Sequence, residues 1–144
     1  MVGGLAAWDT RQVSEQDVEL ARKFHDAFDR DGWDALWREA DPDIEFHEPP
    51  EQPGASVFRG LDAVREGVTR SWQENWIEHR SVAERFVDLG DRVLLLSVSY
   101  LRGRDGIEIS QPAASIVTFR NGRIARLETY WNQQTALEAA GLDE

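Results

Sequence analysis

The 144-residue sequence has no cysteine. That excludes a disulfide frame, a thiolate nucleophile and thiolate metal ligands, and it leaves the redox compartment open. Basic side chains are scarce: 16 Lys and Arg against 27 Asp and Glu give a net charge of −11. Such a surface repels phosphate backbones and anionic lipid, which argues against nucleic-acid and membrane partners. There is no long apolar run, and Met1-Val2-Gly3-Gly4-Leu5-Ala6-Ala7-Trp8 lacks the basic stretch and apolar centre of a signal peptide, so a cytoplasmic location is the simplest expectation. Also missing are a G-x-S-x-G elbow, a P-loop and a dinucleotide glycine motif; no cofactor is expected.

Hydrophobic residues make up 41% of the chain, enough for one sizeable core and too few residues for two ordinary domains. Residues 1–13 read as a flexible tail and 14–144 as a single domain. Ser14 and Asp17 have capping spacing, and Val18, Ala21, Phe24, His25 and Phe28 follow the helical period to about Arg30. After Asp31-Gly32, Trp33, Leu36, Trp37 and Ala40 repeat it in a shorter helix. A third helical face runs through Leu61, Val64, Val68, Trp72 and Trp76, with the two tryptophans closing the helix. From His79 the period becomes that of strands, over Val82 to Asp88, Arg92 to Arg102, Ile107 to Arg120 and Arg123 to Trp131. Asn121-Gly122 is a two-residue hairpin signal. Val93, Leu94, Leu95 and Leu96 are apolar on both faces, as in a central strand covered on each side. Thr135 and Glu138 have the spacing of a capping box, and Gly141 stops the short terminal helix.

The chemistry concentrates at Asp43-Ile44-Glu45-Phe46-His47-Glu48-Pro49-Pro50. Alternation puts Ile44, Phe46 and Glu48 on one strand face and Glu45 and His47 on the other, and the prolines end ladder pairing. Glu48 is therefore the leading catalytic candidate: a carboxylate at an apolar rim has its pKa pushed up by desolvation, which suits proton abstraction. His47 faces away in a regular strand, although the proline-rich exit offers a way to rotate it inward. His25 has two readings, a hydrogen-bonding group toward a pocket or a satisfied core histidine. His79, at the start of a strand, reads as exposed. Glu45 and His47 share a face, but no third ligand has convincing spacing, so no metal site is expected.

Helix, helix, strand, helix and then an aromatic-rich antiparallel meander resembles the nuclear transport factor 2-like superfamily, especially its SnoaL-like branch. The residues that carry the resemblance are Phe46-His47-Glu48-Pro49, Phe58-Arg59-Gly60, Phe119-Arg120-Asn121-Gly122-Arg123-Ile124, and Tyr130 followed by Ala136-Leu137-Glu138-Ala139-Ala140-Gly141-Leu142. It covers roughly Ser14 to Leu142. It implies an α+β fold, a cone-shaped curved antiparallel sheet wrapped around three N-terminal helices with a short C-terminal helix. An apolar cavity lies inside such a cone, and its outer sheet face commonly forms a homodimer.

The resemblance to ketosteroid isomerase places the general base at an acid directly before proline, which maps onto Glu48-Pro49. Aligned without gaps, Phe24 falls where that enzyme has its tyrosine donor. Asn132 stands where SnoaL-like relatives often carry an acid, and Ser115 where they often carry histidine. The arginine held between two aspartates in limonene epoxide hydrolase has no counterpart around Arg102 and Arg104. The implied activity is cofactor-independent proton transfer of the isomerase, lyase or cyclase type on a hydrophobic small molecule, polycyclic or terpenoid. Glu48, His25, Tyr130 and Asn132 form the catalytic set. Phe24, Phe28, Phe46, His47, Trp72 and Trp76 supply substrate-binding walls, with Tyr100 and Gln111 as polar contacts. The alternative is a non-catalytic ligand-binding or dimerisation module of the same fold.

Overall fold

The computed structural model describes residues 2–142, with side chains from 15 onward except 73. Helix α1 (Val2–Asp31) leads into α2 (Trp33–Glu39), β1 (Ala40–His47), β2 (Val57–Arg59) and α3 (Leu61–Val68). A π-helical turn, Thr69–Gln73, links α3 to β3 (Trp76–Asp88), and β4 (Val93–Gly103), β5 (Glu108–Arg120), β6 (Arg123–Tyr130) and α4 (Gln133–Ala139) complete the chain. Ser14 lies inside α1 instead of capping it. The tail expected over residues 1–13 has its side chains outside the described residues.

The six strands form a curved, unclosed sheet in the order β2-β1-β6-β5-β4-β3. Neighbours run antiparallel except β1 and β6, which are parallel, so the expected antiparallel sheet contains one parallel pair. That pair is possible because α3 and the β3–β5 meander intervene between the two strands, giving the chain length to return in the same direction. Asn121 (φ 54°) and Gly122 (φ 77°) both take the left-handed backbone that a type I′ hairpin between β5 and β6 requires.

Strand alternation divides the core. On the helix side, Ile44, Phe46, Val117, Ile124 and Leu127 pack with Leu36 of α2 and Val64 and Val68 of α3. On the opposite face, Leu94, Leu96, Ala114, Ile116 and Tyr130 pack with Ala136 and Ala140 at the C-terminal helix. The two-sided apolar character of β4 is thus met in part by α4, which covers Leu94 and Leu96 without a partner chain. Gly67 is needed where α3 meets β2, since a Cβ there would lie 2.6 Å from the Phe58 ring.

Two local expectations are corrected. Trp76 opens β3 and does not close α3, because the π-helical turn ends the helical run at Gln73. The last helix is capped by Asn132, whose Oδ1 accepts from the Thr135 amide at 3.1 Å, and not by Thr135. Its end follows expectation: Leu142 N donates to Leu137 O and Gly141 N to Glu138 O, with Gly141 at φ 83°.

Candidate functional site

An aromatic-walled cavity of about 140 Å3 lies between α1, α2, the π-helical turn and the concave face of the sheet. Its aromatic wall is assembled from distant segments. The ring centroids of Phe28 and Trp33 are 5.0 Å apart, those of Trp33 and Trp72 5.9 Å, and those of Trp33 and Phe46 6.2 Å. Aromatic edges and faces at such separations favour one another beyond simple area burial. Gly32 (φ 69°) turns the chain sharply between α1 and α2 and brings Trp33 back against Phe28.

Glu48 borders the cavity just beyond the end of β1. Its backbone amide donates to Ser56 O at 3.0 Å, and its carboxylate accepts from Ser56 N and from Gln52 Nε2, each at 3.1 Å. The proline-rich loop therefore folds back and fixes the carboxylate. Thr129 Oγ1 donates to His47 O at 2.7 Å and ties the preceding residue to β6.

Across the cavity, His25 Nε2 lies 3.0 Å from Ser81 Oγ, and both residues are 7% exposed. Asp29, one turn further along α1, sets this contact. It accepts from Arg80 Nε and Nη2 at 2.9 Å each and from the Ser81 amide at 2.8 Å, pinning β3 to α1. The Arg80 hydrogen bond draws the Asp29 carboxyl from its ordinary 3.8 down to about 2.

His79 is not the exposed residue that its place near a strand start suggests. It lines the cavity edge-on to Trp72 (5.2 Å) and Phe28 (5.3 Å), with Nε2 3.4 Å from Ser99 Oγ. Burial pushes its pKa down to about 4, outweighing the opposite pull of Asp29, so the ring is neutral at pH 7. Ser81, Ser97 and Ser99 are further buried polar residues in the wall. No motif marks them in the sequence, but Ser97 and Ser99, two apart in an apolar strand, and His79 and Ser81 on its neighbour carry the period-two signal of one inward face.

Of the predicted site residues, Glu48, His25, Phe24, Phe28, Phe46 and Trp72 line this cavity, as do Gln111 and Tyr130. Tyr130 also belongs to the cluster under α4, and burial raises its phenol pKa. Four residues lie elsewhere. Tyr100 is 47% exposed and paired with Arg80 and Ser110, on the face opposite Ser99. Trp76 lines a separate groove with Asp31, Asp34 and Arg104. His47 turns to Glu45 at 3.2 Å in a shallow surface groove, and this hydrogen bond lowers the Glu45 pKa. Asn132 is engaged at the helix cap. Among the described residues, no group of three or more His, Asp or Glu could hold a metal ion, none lining the cavity is Lys or Arg, and no helix is long and apolar enough to cross a membrane.

Solved structures share this architecture. A nuclear transport factor 2-like protein of unknown function from Burkholderia pseudomallei is 18% identical, with 85% of this chain and 95% of that chain covered at a TM-score of 0.69. A nuclear transport factor 2-like protein from Burkholderia thailandensis is 22% identical, covering 85% and 95% at 0.69. TerC, crystallised with polyporic acid, is 16% identical, covering 87% and 98% at 0.67. At these identities the likeness is one of fold. No curated protein matches the sequence. The SnoaL-like domain family matches residues 21–127, spanning both sides of the cavity from α1 to β6, and the chain belongs to that family.

Proposed function

We propose that the protein is a cofactor-independent enzyme of the isomerase, lyase or cyclase type, which moves a proton on an apolar small molecule held in the cone cavity. The observation that carries this reading is the pairing of one fixed carboxylate with imidazole and hydroxyl groups in an aromatic-walled cavity. Glu48 is held by Ser56 and Gln52 at one side, and His25 and His79 stand on Ser81 and Ser99 within the same wall. Glu48 acts as proton acceptor, and the imidazole and hydroxyl groups stabilise the oxygen on which charge develops. A second copy packing on the outer sheet face, where Val82 and Tyr100 are exposed, and a cytoplasmic location belong to the same reading.

A non-catalytic binding module has one observation in its favour: both Glu48 carboxylate oxygens already accept hydrogen bonds. Exchange of the α-protons of a cyclic ketone in D2O, followed by NMR, separates the two. Catalysis predicts exchange that falls by about 100-fold or more in Glu48→Gln with folding retained. A ketone that raises the melting temperature without enzyme-dependent exchange supports the binding module instead.

A further inference from the structure

The polar groups of the cavity form a line. Ser81 is the register partner of Ser99 across β3 and β4, and Ser99 is the partner of Gln111 across β4 and β5. All three line the cavity. Neighbouring strands are about 4.8 Å apart, so hydroxyl, hydroxyl and amide recur at that interval across the concave face. His25 stands 3.0 Å from the first hydroxyl and His79 3.4 Å from the second. Among the described residues no hydrogen bond engages the Gln111 side-chain amide. In the adjacent row the partners of Ser97 are Ala83 and Ala113. Alanine is thus accommodated on this face, and the fold alone does not demand a polar row.

Size and charge narrow the occupant. A volume of about 140 Å3 is close to that of an engineered apolar cavity, about 150 Å3, which takes up benzene. One six-membered ring fits such a space with room for its oxygens, whereas a fused bicyclic ring bearing two oxygens takes up nearly all of it. Glu48 brings a carboxylate to the cavity, no Lys or Arg among the described residues lines it, and the chain carries a net charge of −11. An anionic ligand therefore meets no compensating charge and is disfavoured. Oxygens meta to one another on a benzene ring are separated by nearly the interval between strands, so both can address adjacent members of the row.

We infer that Ser81, Ser99 and Gln111, with His25 and His79, are the recognition subsite for an uncharged single-ring compound bearing two meta-related hydroxyl or carbonyl oxygens. The inference rests on the cavity being a small-molecule site and deepens that reading by naming the ligand class and the residues that select it. The neutral His79 ring supplies both hydrogen-bond roles without favouring an anion.

The test is titration of the full chain with four probes, read by isothermal calorimetry and tryptophan fluorescence: resorcinol, toluene, 3-hydroxybenzoate and 1,3-dihydroxynaphthalene. Resorcinol is expected to saturate and to bind more tightly than the other three. Ser99→Ala and Gln111→Met should each weaken resorcinol by about fivefold to tenfold, the loss of one neutral hydrogen bond, and leave toluene affinity unchanged. Retained toluene binding also shows that each variant is folded. The inference is overturned if 3-hydroxybenzoate or the naphthalene binds as tightly as resorcinol, or if both variants keep wild-type resorcinol affinity. Toluene binding without preference for resorcinol overturns the subsite alone. No binding of any probe overturns it together with the cavity as a ligand site.

Discussion

His25 Nε2 and Ser81 Oγ lie 3.0 Å apart across 56 positions of sequence, and Asp29 maintains that contact from the same helix as His25. The Asp29 carboxylate holds the Ser81 amide at 2.8 Å while Arg80 grips its outer side. A short helical segment thus fixes both the backbone of β3 and the imidazole that meets its side chain.

The two partners of Asp29 are unequal. Arg80 is largely solvated, with 63% of its side chain exposed against 25% for Asp29, so its ion pair is screened and contributes less than about 1 kcal/mol. Ser81 is a buried residue, 7% exposed, and its amide loses this acceptor if the carboxylate goes. Asp29→Ala should lower the unfolding free energy by about 2 kcal/mol, and Arg80→Ala by less than half of that. Urea denaturation of the two variants checks the order; equal losses would place the energy in the ion pair.

His79 gives the protein a second pH-sensitive element. Its folded pKa, about 4, lies below its ordinary 6.5, so the unfolded chain binds the extra proton between these values. Its contribution is present above pH 6.5, is lost as pH falls toward 4, and changes no further below that. The loss should be about 2 kcal/mol, allowing for the partial exposure of the ring. Asp29 has the other sign of shift and a lower window: its contribution is present above pH 3.8 and is lost as pH falls toward 2. Melting temperatures of wild type and His79→Asn across pH 4 to 7 isolate the histidine term. Parallel curves would show that His79 does not titrate as its surroundings dictate.

How much of this was legible in the sequence depended on the range of the forces involved. The stripes of α1 and α2 and the Asn121-Gly122 hairpin are local, and periodicity and turn chemistry report them directly. The end of α3 was misplaced because Trp72 and Trp76 are four apart, which fits a helix, while only the π-helical turn and the pairing of Trp76 with Gly103 make the second tryptophan a strand residue. The same shift hid His79. Its burial comes from Phe28 and Trp72, neither of which is its sequence neighbour on β3. The chemistry of Tyr100 suits a pocket, yet strand alternation decides its face: with Ser99 inward, Tyr100 points out. Strand β2 is three residues long and lacks any periodic signal.

Asn132 stood among the candidate chemical groups because SnoaL-like relatives often carry an acid at that place, and its contacts assign it a different task. Its Oδ1 caps α4 through the Thr135 amide at 3.1 Å, and its backbone N–H donates to Glu51 Oε2 at 2.9 Å, which holds the loop after Pro50 against the end of β6. Aspartate is as good a cap as asparagine, whereas alanine leaves the first turn without an acceptor. Asn132→Ala should therefore cost about 1 kcal/mol of stability, and Asn132→Asp should stay within about 0.5 kcal/mol of wild type, its favourable charge at the helix start opposed by the nearby Glu51 carboxylate. Neither should change ketone α-proton exchange by more than about twofold at temperatures where the variant is folded. Urea unfolding and the exchange assay, run on the same preparations, separate the two roles. Large loss of exchange in Asn132→Asp at unchanged stability would return this residue to the chemistry; loss of stability alone in Asn132→Ala keeps it at the helix cap.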